Sequence, residues 1–250
     1  MSLFTNPTCL NDFALIPQTR ITLEEILTGV ISFAEHGLNG LILHGVYGTG
    51  KTTLAKILPG LIEITCSTDV LLITHIGDVQ YKHNARKMLF SCEIGSNSVS
   101  MMNDIRNDLC RVYTIFNATG LHYYILDEVD NLTPAAMGSL KAVMNNTRAV
   151  FIMTTNNLNK IDQGIINRSY LLQMDQAPND IWLQRIQQVL TKNGICNVTD
   201  QQLLPLIKSG QGSCRTILSN VETFFNKRQA IAPITTPAAM AAPLSITTSR

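Results

Sequence analysis

Short apolar runs bounded by glycine or polar residues recur along the chain. They lie at Gly40 to His44 (GLILH), Val70 to Thr74, Met88 to Cys92, His122 to Leu126 and Val150 to Thr154. Each is of strand length, too short for a buried helix, and so predicts a β-strand. The first runs straight into a glycine-rich turn and a helical pattern from Lys51 to Leu58, and helical stretches at 98–117 and 133–145 separate several of the others. Near the amino end, Leu23, Ile26, Leu27, Val30 and Phe33 keep helical spacing behind Thr22 and Glu25, which are placed as a capping box, so a helix is predicted over 22–36. Strands alternating with helices define an α/β fold with a mostly parallel sheet covered on both faces. Residues 59–87 carry the weakest pattern, and Val70 to Thr74 reads either as a core strand or as part of an insertion.

Beyond Asp175 the pattern changes: 178–192, 199–209 and 213–227 read as three helices, the second opened by a Thr199/Gln202 capping box. From Ala230 to Arg250 the chain mixes Pro, Ala and Thr with almost no charge and no period, as a flexible tail does. The expected organisation is an amino-terminal extension (1–20), an α/β core (21–176), a small all-helical domain (177–228) and the tail (229–250).

A chain of 250 residues, 45% of them hydrophobic, can form one large core and a small satellite. With 19 basic against 18 acidic side chains the net charge is +1, so no global field marks a nucleic-acid or membrane binder, and any DNA contact has to be a local patch. The six cysteines contain no C-x-x-C pair, which disfavours zinc and a disulfide framework. The amino terminus lacks a basic segment followed by an apolar one, and no apolar stretch reaches the roughly 18 residues of a membrane span. The expectation is a cytoplasmic protein with no membrane partner.

The segment Gly45-Val46-Tyr47-Gly48-Thr49-Gly50-Lys51-Thr52 matches G-x-x-x-x-G-K-[ST] between a predicted strand and a predicted helix. Glycines let successive backbone N–H groups turn inward around a phosphate, and the following helix adds its positive end. Lys51 is expected to reach the β and γ phosphates, the Thr52 hydroxyl to ligate Mg²⁺, and Thr53 to complete the nucleotide-binding set. About 75 residues later a strand ends in Asp127-Glu128. Asp127 is expected to hold Mg²⁺ and Glu128 to orient and polarise the attacking water, as hydrolysis of a phosphoanhydride requires. At the tip of another strand Asn156 is placed to meet the γ-phosphate or that water, although Asn is also a common turn residue. On local pattern alone Arg168 and Arg215 read equally well as surface charges. A competing signal is Asn159-Lys160-Ile161-Asp162, which fits the N-K-x-D pattern that reads guanine, but the acid strand lacks the companion D-x-x-G.

These motifs carry a family resemblance. LDEVDNLTPAAMGSLKAVMNN (126–146), VFIMTTNNLNKIDQGIINRS (150–169) and GQGSCRTILSNVE (210–222) resemble, in order, the acid-pair helix, the sensor-1 strand with its Ser-Arg-Cys box, and the sensor-2 helix of clamp-loader AAA+ ATPases, the small subunits of replication factor C and their phage counterparts. LFSCEIGSNSVSMMNDIR (89–106) is a fainter match to their DNA-facing segment. The resemblance spans about 21–228 and implies an AAA+ P-loop ATPase core followed by a helical lid domain. It further implies that Asn156 is sensor 1, that Arg168 is an arginine finger acting on a neighbouring subunit's nucleotide, and that Arg215 is the sensor-2 arginine. The box here reads Asn167-Arg168-Ser169 and the acid motif Asp-Glu-Val-Asp.

By the same resemblance the chain is an ATP hydrolase working in an oligomer of AAA+ subunits on primer-template DNA, with a sliding clamp as a candidate partner. Candidate phosphate contacts are Lys82, Arg86, Lys87, Arg106 and Arg111, with Arg106 favoured because it matches the family's isoleucine-arginine pair. Clamp loaders carry a further helical collar, whereas only the low-complexity tail follows residue 228 here. Two roles therefore stay open: a clamp-loader subunit, or an AAA+ replication initiator, helicase loader or transposition ATPase that needs no clamp. A third, non-hydrolysing assembly subunit is disfavoured by the intact set Lys51, Asp127, Glu128, Asn156 and Arg168.

Overall fold

A computed structural model describes residues 3–33, 37–67, 75–80, 85–93, 98–110, 117–195 and 197–231. The strand expected at Val70 to Thr74, the candidates Lys82 and Arg111, and most of the predicted tail lie outside these residues. The elements are α1 (Pro17–Leu27), β1 (Gly40–His44), α2 (Lys51–Ser67), β2 (Lys87–Ser91), α3 (Ser98–Leu109), β3 (His122–Asp127), α4 (Pro134–Val143), β4 (Ala149–Thr155), α5 (Gln163–Ile166), β5 (Ser169–Gln173), α6 (Asn179–Lys192), α7 (Asp200–Ser209) and α8 (Cys214–Ile231).

The strands form one five-stranded sheet in the order β2-β3-β4-β1-β5, and every pairing is parallel. All strands therefore present their carboxyl ends to one edge, where ligands of open α/β sheets bind. Successive side chains along a strand point to opposite faces. Leu41, Leu43, Tyr123, Ile125, Val150 and Ile152 pack with Leu54, Leu58 and Leu61 of α2 and Leu23 and Ile26 of α1. Ile42, Tyr124, Leu126, Phe151 and Met153 pack on the other side with Met102 and Ile105 of α3 and Met137 and Leu140 of α4. A third cluster, around Trp182, Ile186, Leu203, Ile207, Ile217 and Val221, joins α6, α7 and α8, and Leu3, Phe4 and Ala14 lie against it. No helix of the described residues is long and apolar enough to cross a membrane.

Three sequence expectations are corrected. The first helix runs over Pro17–Leu27 rather than 22–36. Pro17 occupies its first turn, where a missing N–H costs nothing, and Thr22 lies inside it with Oγ1 donating to the Gln18 carbonyl at 3.2 Å. Gly29 then turns the chain at φ 76°, leaving Val30 75% exposed. The helix expected over Lys51 to Leu58 continues through Pro59 to Ser67. The strand β5 (SYLLQ) has no counterpart among the predicted strands, because its apolar run, Tyr170 to Leu172, is only three residues long between Ser169 and Gln173.

A buried polar network ties α3 to the sheet. Asp108 accepts hydrogen bonds from Arg86 Nη2 at 2.9 Å, from Tyr124 Oη at 2.8 Å and pairs with His122 Nδ1 at 3.0 Å. Burial pushes the Asp108 carboxyl up, but the Tyr124 and His122 hydrogen bonds and the Arg86 charge outweigh it and hold the group below the usual carboxylate value. A carboxyl whose folded value is depressed contributes stability above its unfolded value and loses it as pH falls through the folded one. Asp108→Ala is therefore expected to lower stability by about 1–3 kcal/mol at neutral pH, since it leaves three donors without an acceptor. In urea titrations the gap to wild type should start to narrow below about pH 4 and go on narrowing as pH falls through the depressed folded value; a gap constant with pH would show that the charge has no part in it.

Candidate active site

The loop between β1 and α2 is shaped by its glycines. Gly48 and Gly50 sit at φ 76° and 93°, in the left-handed region that favours glycine. Gly45 passes so close under the end of β5 that a Cβ would stand 2.8 Å from the Met174 carbonyl oxygen. Lys51, only 7% exposed, donates to the carbonyls of Gly45 at 2.9 Å and Val46 at 2.6 Å, which uses two of its three N–H groups. Burial pulls its ammonium below the ordinary lysine value, opposed by the carboxylates of Asp175, Asp130, Asp127 and Glu128.

The acid pair meets this loop across the sheet edge. Asp127 Oδ1 accepts from Thr52 Oγ1 at 2.8 Å and from Thr154 Oγ1 at 2.5 Å, and the same Thr154 hydroxyl accepts the Glu128 N–H at 2.9 Å. Glu128 is held at φ 58°, ψ 50°, a costly backbone for a non-glycine residue of the kind that gathers at functional sites. Its Oε2 accepts from Asn131 Nδ2 at 3.3 Å. Beside it, Cys92 is buried and its thiol is pushed up to about 12, first by burial and then by the neighbouring carboxylates, so it stays protonated.

Around these groups lies a cavity of about 310 Å³ bordered by Tyr47, Gly48, Gly50, Lys51, Thr52, Thr53, Glu128, Thr154, Asn156, Cys214 and Arg215. Arg215 reaches it because α8 begins against the loop: its backbone N–H bonds the Gly48 carbonyl at 3.3 Å, and Ser213 lies where a Gly48 Cβ would be. A second, narrower cavity of about 160 Å³ shares Gly50, Thr53 and Cys214 with the first and continues between Phe4, Pro7, Phe13, Trp182 and Leu218. The Trp182 indole N–H is buried there and has no hydrogen-bond partner among the described residues.

Lys51, Thr52, Thr53, Asp127, Glu128, Asn156 and Arg215 are thus brought together. Arg168 is not. It lies at the opposite end of β1, where its carbonyl accepts the Gly40 N–H at 2.9 Å, and its guanidinium donates to the Gly164 carbonyl at 2.8 Å and Asn145 Oδ1 at 3.2 Å. Arg106, in the last turn of α3, borders a separate open cavity with Leu109, Ala142, Val143 and Asn145. Arg86 is occupied by Asp108. The N-K-x-D residues do not border either of the two adjoining cavities; Asp162 instead caps α5, accepting the Gly164 N–H at 2.7 Å, and pairs with Lys141 at 3.3 Å.

Sequence reasoning missed three contributors. Thr154 clamps both acids, and its only signal was a hydroxyl at a strand tip next to theirs. Asp175 accepts the Val46 N–H at 3.3 Å, which required knowing that β5 pairs with β1. The wall formed by 4–14 belonged to a stretch without periodicity.

The residues fit a magnesium nucleotide. Successive loop N–H groups, a buried ammonium with one proton left and a cavity bordered by Arg215 suit a triphosphate. Paired hydroxyl and carboxylate oxygens at Thr52 and Asp127 suit a hard cation that takes one or two protein ligands and fills the rest from phosphate and water.

Residues 41–174 match the family described as ATPase family associated with various cellular activities (AAA). The chain belongs to this family of ATPases. It is 30% identical over 190 residues to DNA polymerase III subunit gamma/tau of Mycoplasma genitalium, covering 75% of this chain and 32% of that protein. It is 24% identical over 204 residues to replication factor C small subunit 1 of Pyrobaculum arsenaticum, covering 80% of this chain and 56% of that protein. The chain thus spans between about a third and just over half of the length of these curated relatives. The solved structure of a point variant of Thermotoga maritima RuvB superposes with a TM-score of 0.60 at 15% identity, over 86% of this chain and 63% of that one, a likeness of fold alone. The resemblance to clamp-loader AAA+ ATPases drawn from the motifs agrees with the first two relatives.

Proposed function

We propose that this chain is an ATP-driven subunit of a DNA-replication assembly in the cytoplasm, most like a clamp-loader subunit, which assembles on DNA when ATP binds and lets go when ATP is hydrolysed. The observation that carries the reading is the hydrogen-bonded set Thr52–Asp127–Thr154–Glu128 facing the phosphate loop. It joins a phosphate cradle to a carboxylate suited to a metal and a second carboxylate that can act on water. The names of the gamma/tau and replication factor C relatives support the replication context.

In this reading the helices after 177 form a lid over the 21–176 core, and the nucleotide lies between them with its phosphates on Gly45 to Thr53. Lys51 pairs with the β and γ oxygens, and Thr52 and Asp127 would hold Mg²⁺, which when bound neutralises phosphate charge. Glu128 takes the proton of the attacking water, Asn156 orients that water or the γ-phosphate, and Arg215 senses the γ-phosphate of its own subunit. The narrower cavity beside Phe13 and Trp182 takes the nucleoside. Arg168, remote from its own phosphates, serves the next subunit's site, so the active form is an oligomer. Arg106 is assigned to the DNA side of α3.

ATP hydrolysis per subunit, measured across a protein concentration series with and without primer-template DNA, is expected to climb with both. A flat rate blind to DNA would leave an ATPase and remove the replication role. Adding a cognate sliding clamp separates the finer readings: a further rise supports loading, whereas a rate equal to that with DNA alone favours an initiator, helicase-loader or transposition role without a clamp.

A further inference from the structure

Four carboxylates act on Lys51, and three belong to the acid segment: Asp127 is engaged by Thr52 and Thr154, Glu128 borders the phosphate cavity, and Asp130 lies in the turn that follows. The fourth, Asp175, comes from the other side of the loop, where it bonds the loop backbone at Val46, and it has no task in the hydrolysis proposed above. It leaves β5 directly over the phosphate loop. Its Oδ1 takes the Val46 N–H at 3.3 Å and its Oδ2 is braced by Gln173 Nε2 at 2.5 Å. Gly45 fits beneath it only for want of a side chain, since a Cβ would stand 2.6 Å from Oδ1. The Val46 carbonyl, one peptide along, accepts the Lys51 ammonium at 2.6 Å. A chain of hydrogen bonds thus runs from Asp175 through Val46 to Lys51.

We propose that Asp175 sets nucleotide affinity by opposing the phosphates: it stabilises the empty loop and repels the charge that enters it. The inference rests on the nucleotide reading above. A fixed carboxylate beside a cradle of N–H groups and one ammonium neutralises part of the field that would otherwise draw in a polyphosphate. Unit charges several ångströms apart in a partly solvated site interact strongly enough to change an equilibrium severalfold. The consequence is a site that releases its nucleotide rather than one that stays filled.

The test is calorimetric titration of MgATP and MgADP into wild type, Asp175→Asn, Asp175→Glu and Lys51→Ala. Asn is nearly the same shape and keeps an acceptor for the Val46 N–H, so loop geometry is retained while the charge is lost. Asp175→Asn is expected to bind both nucleotides about five- to tenfold more tightly at about 0.1 M salt, with most of that gain gone at about 1 M, where the screening length falls to about 3 Å. Asp175→Glu keeps the charge and should show no gain in affinity. If Asp175 merely scaffolds the loop, Asp175→Asn will bind with equal or lower affinity, or with a gain that ignores salt, and any of these overturns the proposal. Wild type that binds no better than Lys51→Ala would remove the nucleotide reading and this inference with it. Wild type that binds while Asp175→Asn gains nothing removes the inference alone.

Discussion

Glu128→Gln is expected to bind MgATP with the affinity of wild type and to hydrolyse it about 10²–10³-fold more slowly, within the range attributed to a positioned general base. Glu128 is held at three points. Its backbone is fixed in the left-handed region, its N–H is taken by Thr154, and its side chain borders the phosphate cavity with Asn131 on Oε2. Gln keeps the length and still accepts from Asn131, so position survives, but an amide has no lone pair basic enough to take a proton from water. In the proposed reading phosphate binding depends on Lys51, the loop N–H groups and Arg215, none of which the substitution touches. Equilibrium binding combined with single-turnover hydrolysis measures the two effects separately. Full turnover by the variant would remove Glu128 from the chemistry, and lost binding would mean that the strained turn, rather than the carboxylate, was the important feature.

The half of this site that can be read from sequence is the half built from contiguous residues. Gly45 to Thr52 announces itself because one loop has to do everything in order, and Asp127-Glu128 because two acids end a largely apolar strand that follows such a loop. Thr154 and Asp175 are silent because their roles arise from neighbours distant in sequence: β4 must lie beside β3, and β5 beside β1, before either side chain meets its partner. β5 is hidden because its apolar run, Tyr170 to Leu172, is only three residues long between Ser169 and Gln173. The first helix departs from its expected range for a different reason. Thr22 and Glu25 satisfy a capping pattern, but Pro17, five residues earlier, begins the helix more strongly, and local pattern gives no way to rank two start signals. The three carboxyl-terminal helices are legible because each keeps its helical spacing, and the Thr199/Gln202 box forms in the structure as expected.

Arg168 poses the sharper test, since its position excludes the simplest use for an arginine in a nucleotide site. β1 separates it from the phosphate loop of its own chain, and five strand residues at about 3.3 Å each keep the two ends more than about 13 Å apart. Among the described residues its guanidinium spends N–H groups on Gly164 and Asn145, which leaves the remainder of its five donors unused. A guanidinium fixed at two points with donors to spare suits a charge presented by another molecule. If that charge is a neighbouring subunit's γ-phosphate, Arg168→Ala should bind ATP as wild type does and lose roughly 10³-fold in hydrolysis. Lys51→Ala should fail to bind nucleotide at all. Mixed in equal amounts, two inactive proteins should recover activity, because at about a quarter of randomly formed head-to-tail interfaces an intact site of the first meets an intact Arg168 of the second. Recovery that grows with total protein concentration can arise only from sites completed by two subunits. No recovery at any ratio, with both variants folded, would place the role of Arg168 within its own chain, and an Arg168→Ala protein that binds ATP poorly would reduce the residue to a structural brace between α4 and α5.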